Sequence, residues 1–251
     1  MAEQDYPDHG RVLALLFRRK DEPSRRSGLT VGRIVDAAIT IADDAGLGAL
    51  SMRRIAEELG VGTMSLYTYV SSKAELVPVM METVTGELKE IGPHDAGWRA
   101  KLEAMATGYW DLYEGHQWLL EVPVSRPLLG PNGYRRSEAE LQAVDGIGLD
   151  EWEMAAVIEA VHTHTAGSAR RALEILRDAE HSGMSDDQWW YSVSPLLGTY
   201  LASFDLPVAA RVGTTIAAPH TDSRFDFEFG LARLLDGLGQ LIEARDSGAE
   251  Y

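Results

Sequence analysis

An all-α fold is predicted for this 251-residue chain, from three observations. Apolar residues recur at three- and four-residue intervals almost throughout, and no alternating β-branched run exceeds a few residues. Helix start and stop chemistry repeats at regular intervals. The balance of 45% apolar and 25% charged residues is that of an ordinary globular chain with a sizeable core.

The first clear helix follows Thr30, a good N-cap, and puts Ile34, Val35, Ala38, Ile41, Ala42 and Ala45 on one stripe before Gly46 stops it. A second, about two turns long, begins at Ser51, buries Ile55, Ala56 and Leu59, and ends at Gly60. After Gly60-Val61-Gly62 a third runs from Thr63 to Val70, with Leu66 and Val70 facing inward. Ser72-Lys73-Ala74-Glu75 reads as a capping box: Ser72 accepts from the Glu75 amide and Glu75 reaches back to that of Ser72. A longer fourth helix follows. Gly92-Pro93 and Gly97 separate it from a helix through Trp98, Leu102, Met105, Tyr109 and Leu112. Pro123, Pro127 and Gly130-Pro131-Asn132-Gly133 mark loops, with Pro131 near the start of a helix ending near Gly146. Asp150-Glu151-Trp152-Glu153 opens a helix extending to about Glu180, Ser185-Asp186-Asp187-Gln188 opens another, and the last runs from about Ser223 to Arg245.

The net charge of −16 is unevenly distributed. Residues 1–75 carry 10 Lys and Arg against 11 Asp and Glu, leaving 13 against 28 for the remainder. Arg11, Arg18, Arg19, Lys20, Arg25, Arg26 and Arg33 form a local basic stretch that is either solvated or able to enter a DNA minor groove. With no cysteine, disulfides and thiolate metal sites are excluded. The longest early apolar stretch, Val12 to Phe17, is far shorter than a membrane span, so a cytoplasmic location without a membrane partner is expected.

The two short helices joined by a glycine turn, from Leu50 to Val70, form a helix-turn-helix, whose second member can present its outer face to a major groove. The alternative is a purely structural hairpin. On the outer face Thr63, Met64, Ser65, Tyr67, Thr68 and Tyr69 offer hydroxyls and apolar edges, Lys73 adds a charge, and Arg53 can contact a guanine bidentately. Residues 30–80 resemble the DNA-binding domain of the tetracycline-repressor family, through Leu50-Ser51, Ile55-Ala56, Leu59-Gly60-Val61, Leu66-Tyr67, Val70 and Lys73-Ala74-Glu75-Leu76. That resemblance implies a homodimer on double-stranded operator DNA, contacted by Arg53, Thr63, Ser65, Tyr67, Thr68, Tyr69 and Lys73. Relatives often add a basic arm, here Arg18, Arg19, Arg25 and Arg26.

The rest of the chain is similar, more loosely, to the effector domain of family members from antibiotic-producing actinobacteria. Trp98-Arg99, Gly115-His116, Trp118-Leu119, Gly130-Pro131-Asn132 and the closing stretch Phe229 to Gly237 carry that similarity. The resulting division is an arm over residues 1–29, a DNA-binding domain over 30–76 and a ligand-binding and dimerisation domain over 77–251. Tyr109, Trp110, Tyr113, His116, His162 and Arg170 are the expected lining of an aromatic effector pocket; such aromatic residues taken singly are more often core, but together they favour a cavity. His162 and His164 are two apart and point to different faces, so no metal site or cofactor is expected. Phe227, Leu231, Leu234, Leu238 and Leu241 form either a core stripe or a dimer seam; the family resemblance favours the seam. The expected function is a repressor released from a palindromic operator by a small hydrophobic or aromatic molecule. The alternative is a sequestering protein or enzyme, for which the chain offers neither a phosphate loop nor a convincing nucleophile with its base.

Overall fold

The computed structural model describes residues 8–18, 28–93, 95–123, 127–201, 203–215 and 223–246. Among these the regular structure is eleven α-helices and two 3₁₀ turns, with no strand. The helices are α1 (His9–Leu16), α2 (Val31–Ala45), α3 (Met52–Leu59), α4 (Thr63–Tyr67), α5 (Lys73–Thr85), α6 (Trp98–Gly115), α7 (Pro131–Val144), α8 (Glu151–Ser182), α9 (Asp186–Leu201), α10 (Pro207–Thr215) and α11 (Ser223–Asp246). None among the described residues is long and apolar enough to cross a membrane. The chain divides into two compact units, residues 1–162 with 241–251 and residues 163–240. The expected boundary at residue 76 falls inside α5.

In the first unit, part of the expected N-terminal arm is helical. Asp8 caps α1 through its carboxylate, which accepts from the amides of Gly10 (2.9 Å) and Arg11 (3.3 Å), and Val12, Leu15 and Leu16 enter the core. An arm of charged residues would have no reason to order, but these three apolar residues at three- and four-residue spacing do. Helix α2 starts at Thr30, whose hydroxyl accepts from the Arg33 amide (3.1 Å), and buries Ile34, Val35, Ala38, Ile41 and Ala42. Gly46, at φ 76°, ends it.

Two buried carboxylates organise α5. Ser72 accepts from the Glu75 amide (3.2 Å) as expected, but Glu75 returns to the amide of Ser71 (2.8 Å) rather than to that of Ser72. Its other oxygen accepts from Arg11 Nε (3.1 Å), which ties α1 to the start of α5. One helical turn from the end of α5, Glu82 accepts from the amides of Asn132 (2.5 Å) and Gly133 (3.1 Å), while the Asn132 side-chain amide donates to the Glu82 carbonyl (2.9 Å). The first turn of α7 is therefore capped by a carboxylate from another helix, since its own N-cap, Gly130, has no side chain. This explains Gly130-Pro131-Asn132-Gly133. A Cβ on Gly130 would overlap the Glu82 carboxyl group, and Pro131 sits where an amide N–H would have no partner within the helix.

A third polar contact links α2 to the end of α6. Asp43 Oδ1 accepts from the buried Trp118 indole (2.8 Å) and lies 2.8 Å from His116 Nδ1, while His116 Nε2 lies 3.1 Å from Glu87. Burial disfavours protonation of His116. Hydrogen bonds and charges from Asp43 and Glu87 outweigh it and raise the imidazole above its ordinary value, because only the imidazolium can donate to both carboxylates at once.

In the second unit, the His164 Nε2–H donates to the Phe227 carbonyl oxygen (2.8 Å), and its ring stacks on that of Phe227 at 5.7 Å. Gly230 allows this approach: a Cβ there would collide with the His164 ring. Thr165, Ala169, Leu173, Phe227, Leu231, Leu235 and Leu238 are buried. Helix α9 opens where expected, with a capping box, Ser185 accepting from Gln188 (3.2 Å) and Gln188 from Ser185 (2.9 Å). Helix α10 was not expected from the sequence pattern.

Replacing Glu82 by Ala should destabilise the protein by about 1–3 kcal/mol, because two amides and the helix start lose their acceptor; urea unfolding of this variant and of Gly130→Ala measures the loss. The raised His116 pKa has a definite sign. Its stabilisation is complete below the unfolded value of about 6.5 and disappears as pH rises through the higher folded value. Between pH 5.5 and 8.5, the stability advantage of the wild type over His116→Gln should be largest at the acid end; an advantage that grows with pH would contradict this geometry.

Candidate nucleic-acid interface and effector region

Helices α3 and α4 form the turn that the sequence pattern predicts. The Ser51 hydroxyl accepts from the Arg54 amide (3.2 Å), and Gly60, left-handed at φ 66° and ψ 33°, terminates α3. The Val61 amide then donates to the Ala56 carbonyl (3.0 Å), turning the chain into α4. Leu66 and Val70 are fully buried and anchor α4 from beneath. The helix is shorter than expected: it ends at Tyr67, and the amides of Tyr69 and Val70 both turn back to the Leu66 carbonyl (2.8 and 3.0 Å).

The outer face is as open as a reading helix requires. Met64 is 79% exposed and Tyr67 43%, Ser65 and Thr68 are exposed, and Thr63 is half-buried. Tyr69 is half-buried against the core, so its ring serves packing as well as the surface. Arg53 is exposed on α3 and pairs through Nε with Glu57 (2.8 Å), a bond that uses neither terminal guanidinium nitrogen. Lys73 is drawn toward the protein. Its ammonium donates to the Leu47 carbonyl (2.5 Å), bracing the 3₁₀ turn Leu47–Ala49 and leaving part of its donor capacity for an anion.

Arg18 is exposed just beyond α1 and lines a surface groove of about 350 Å³ with Arg11, Ala14, Leu15, Thr68 and Tyr69. Two arginines thus lie beside the end of the reading helix, a juxtaposition hidden in the sequence because it depends on α1. Arg19, Arg25 and Arg26 lie outside the described residues.

Among the expected effector residues, Tyr109, Tyr113 and His162 come together. The Tyr109 ring lies 6.2 Å from that of Tyr113 and meets the His162 ring edge-on at 4.5 Å. Two residues that sequence reasoning missed complete the group. Arg136 places its guanidinium carbon 5.0 Å over the Tyr109 ring and donates through Nε to Glu140 Oε1 (2.8 Å), whose Oε2 lies 3.0 Å from His162 Nε2. Both are buried. Burial alone would raise the Glu140 carboxyl; bonds and charges from His162 and Arg136 outweigh it and hold the group below the usual carboxylate range. Burial, reinforced by the Glu140 charge, pushes the Tyr109 phenol well up, so it stays protonated. The available signal was Arg136 and Glu140 at i and i+4 on α7, in line with Val144 on the same inward face.

The other expected lining residues are placed differently. Trp110 is core, with its indole donating to Glu114 (2.8 Å), and both ring nitrogens of His116 are engaged by Asp43 and Glu87. Arg170 is exposed on α8 in the second unit. His162 and His164 diverge into separate units, and among the described residues no three metal-ligating groups converge.

The expected dimer seam also needs correction. Phe227, Leu231 and Leu238 are 1%, 5% and 6% exposed within the single chain, so they are core; Leu234 and Leu241 are half-buried. The stripe with spacings of four and three had already been satisfied internally. The exposed aromatics of α11 are Phe225 and Phe229, stacked at 6.0 Å, and those of α8 include Trp152.

Two family models match the chain. Residues 34–80 match the family model of bacterial regulatory proteins of the tetR family, and residues 92–242 match the tetracyclin repressor-like C-terminal domain. The chain is 41% identical over 243 residues to the HTH-type transcriptional repressor DrrR1 of Streptomyces coeruleorubidus, covering 95% of this chain and 88% of that one. It is 31% identical over 173 residues to an HTH-type transcriptional regulator of Saccharopolyspora erythraea, covering 68% and 72%. The TetR family protein ActR of Streptomyces coelicolor, solved in complex with actinorhodin, superposes with a TM-score of 0.68 at 28% identity, covering 86% of this chain and 96% of that one. The chain belongs to the tetracycline-repressor family of DNA-binding transcriptional regulators.

Proposed function

We propose that the protein is a homodimeric repressor that holds a near-palindromic operator until a small, flat, hydrophobic molecule enters the region beside Tyr109, Tyr113 and His162. The observation that carries the DNA half is the exposed outer face of α4 on a helix whose inner side, Leu66 and Val70, is fully buried. A side chain offered to bases must be held by a rigid element behind it. Residues 30–76 would supply that reader and the remainder the ligand-binding and dimerising part, working in the cytoplasm where DNA is found. Two-fold symmetry would set two such helices about one helical turn apart. The exposed aromatics of α8 and α11, with Leu234 and Leu241, are the surfaces that support pairing of two copies.

ActR, solved both empty and with actinorhodin, supports the ligand half and makes actinorhodin the first compound to screen. Release follows if the ligand prefers a conformation in which the readers are misplaced for two successive grooves. The ligand would leave unchanged, since the region offers no nucleophile with an activating base.

The first test is fluorescence anisotropy of fragments from the DNA upstream of the protein's own gene, at physiological salt with competitor DNA. Saturable binding to one near-palindromic fragment, reversed by actinorhodin or a related compound, is the expected result; equal affinity for every fragment would overturn the operator reading. Tyr67→Ala should weaken binding to all sequences if its hydroxyl holds phosphate, whereas Arg53→Ala should lose about 1–3 kcal/mol of discrimination at one base pair. Uniform losses for both variants would remove Arg53 from base reading.

A further inference from the structure

Among the described residues, one buried side-chain nitrogen or oxygen lacks a hydrogen-bond partner: Nη2 of Arg136. The other two nitrogens of that guanidinium each have a partner. Nε donates to Glu140, Nη1 donates to the Lys89 carbonyl (2.9 Å), and the planar group lies over Tyr109. The side chain is 9% exposed, so bulk water does not satisfy the remaining donor. Buried charged donors left unmet are costly and rare, and each calls for an acceptor from outside the fold. Arg136 cannot swing toward another acceptor without giving up Glu140 or Lys89.

We propose that Arg136 Nη2 is the polar anchor of the effector site and that it takes a neutral carbonyl oxygen carried on a flat aromatic ring system. This rests on the ligand-responsive reading above and gives it a chemistry. The neutral class follows from charge matching. The Arg136 charge is already paired with the Glu140 carboxylate, which also faces His162. A second carboxylate at Nη2 would sit near Glu140 in a buried setting, where like charges repel strongly. A ketone or quinone oxygen accepts the hydrogen bond without that repulsion. The flat partner is set by the neighbours: half-buried Tyr109 lies under the guanidinium with half-buried Tyr113 next to it, and aromatic ligands pack on such rings offset or edge-on.

The test uses three naphthalenes of nearly one shape: 2-acetylnaphthalene, 2-isopropenylnaphthalene, in which a methylene group replaces the ketone oxygen, and 2-naphthoate. Binding to the purified full-length protein is measured by equilibrium dialysis. The wild type should bind the ketone more tightly than either the alkene or the carboxylate. Arg136→Met alone strands Glu140, so the double variant Arg136→Met, Glu140→Met replaces the buried pair by apolar groups of similar volume, and Arg136→Lys provides a second, charge-preserving variant. Both should lose about tenfold in ketone affinity, with alkene affinity unchanged. Equal ketone affinity in wild type and variants would overturn the anchor, as would a wild-type preference for naphthoate or failure to bind any of the three. Operator affinity of the same preparations without probe is read in parallel. Its retention shows that the regulator reading stands or falls separately.

Discussion

The Glu82 carboxylate is the contact on which the arrangement of the first unit turns. Helix α7 has no capping side chain of its own, and Asn132 and Gly133 would present amides to nothing if α5 moved away. Glu82, in turn, is buried and depends on those amides to keep its charge solvated. Each side makes the other tolerable, so α5 and α7 are held at one separation and one angle. The opposite end of α5 repeats the principle, with Glu75 capping its own helix start and receiving Arg11 from α1. A helix with one buried carboxylate near each end is well suited to carry position between the reading helices and α7, because sliding it exposes an unmet charge at both ends.

How much of this was legible depended on whether the causes were local. Caps are local: Thr30, Ser51, Asp150 and Ser185 each start a helix where their chemistry says they should. The helix-turn-helix was legible for the same reason, since Gly60 in the left-handed region and the inward pair Leu66 and Val70 lie within one short segment. Helix α1 was missed because its three buried residues are followed, after Phe17, by Arg18, Arg19 and Lys20, which make the stretch look like a solvated arm. The purpose of Gly130 was invisible because Glu82, which lies against it, is 48 positions away in the chain. The stripe on α11 was correctly seen as apolar, yet periodicity says only that a face is covered, and here the chain itself covers Phe227, Leu231 and Leu238.

The effector region shows the same limit from the polar side. Tyr109, Tyr113 and His162 stood out as residue types, and they do meet. Arg136 and Glu140 looked like any exposed i, i+4 pair on a charged helix, a pattern normally worth little. Burial changes their meaning. Under α6 and α8 the pair can no longer draw on water, so every donor and acceptor must find a partner in the protein or in something the protein binds.

Helix α7 carries contacts to three other segments on one line of side chains. Asn132, Arg136 and Glu140 are spaced four apart, so they lie along a single face. The first meets Glu82 at the end of α5, the second reaches the Lys89 carbonyl just beyond that helix, and the third reaches His162 on α8. A group that bonds Arg136 therefore acts on a helix whose next turn is bonded to α5, and α5 begins at Lys73, whose ammonium braces the turn between α2 and α3. Coupling of this kind is reciprocal: whatever holds α5 in the position that DNA prefers also sets the geometry offered to a ligand at Arg136. Its strength would be limited by how differently ligand and operator bind alternative positions of α5, and not by the tightness of either alone. The His116 contacts with Asp43 and Glu87 run beside this route and connect α2 to the chain just after α5. They stiffen the same joint, so a ligand that shifts α5 must work against them as well as against the Glu82 cap.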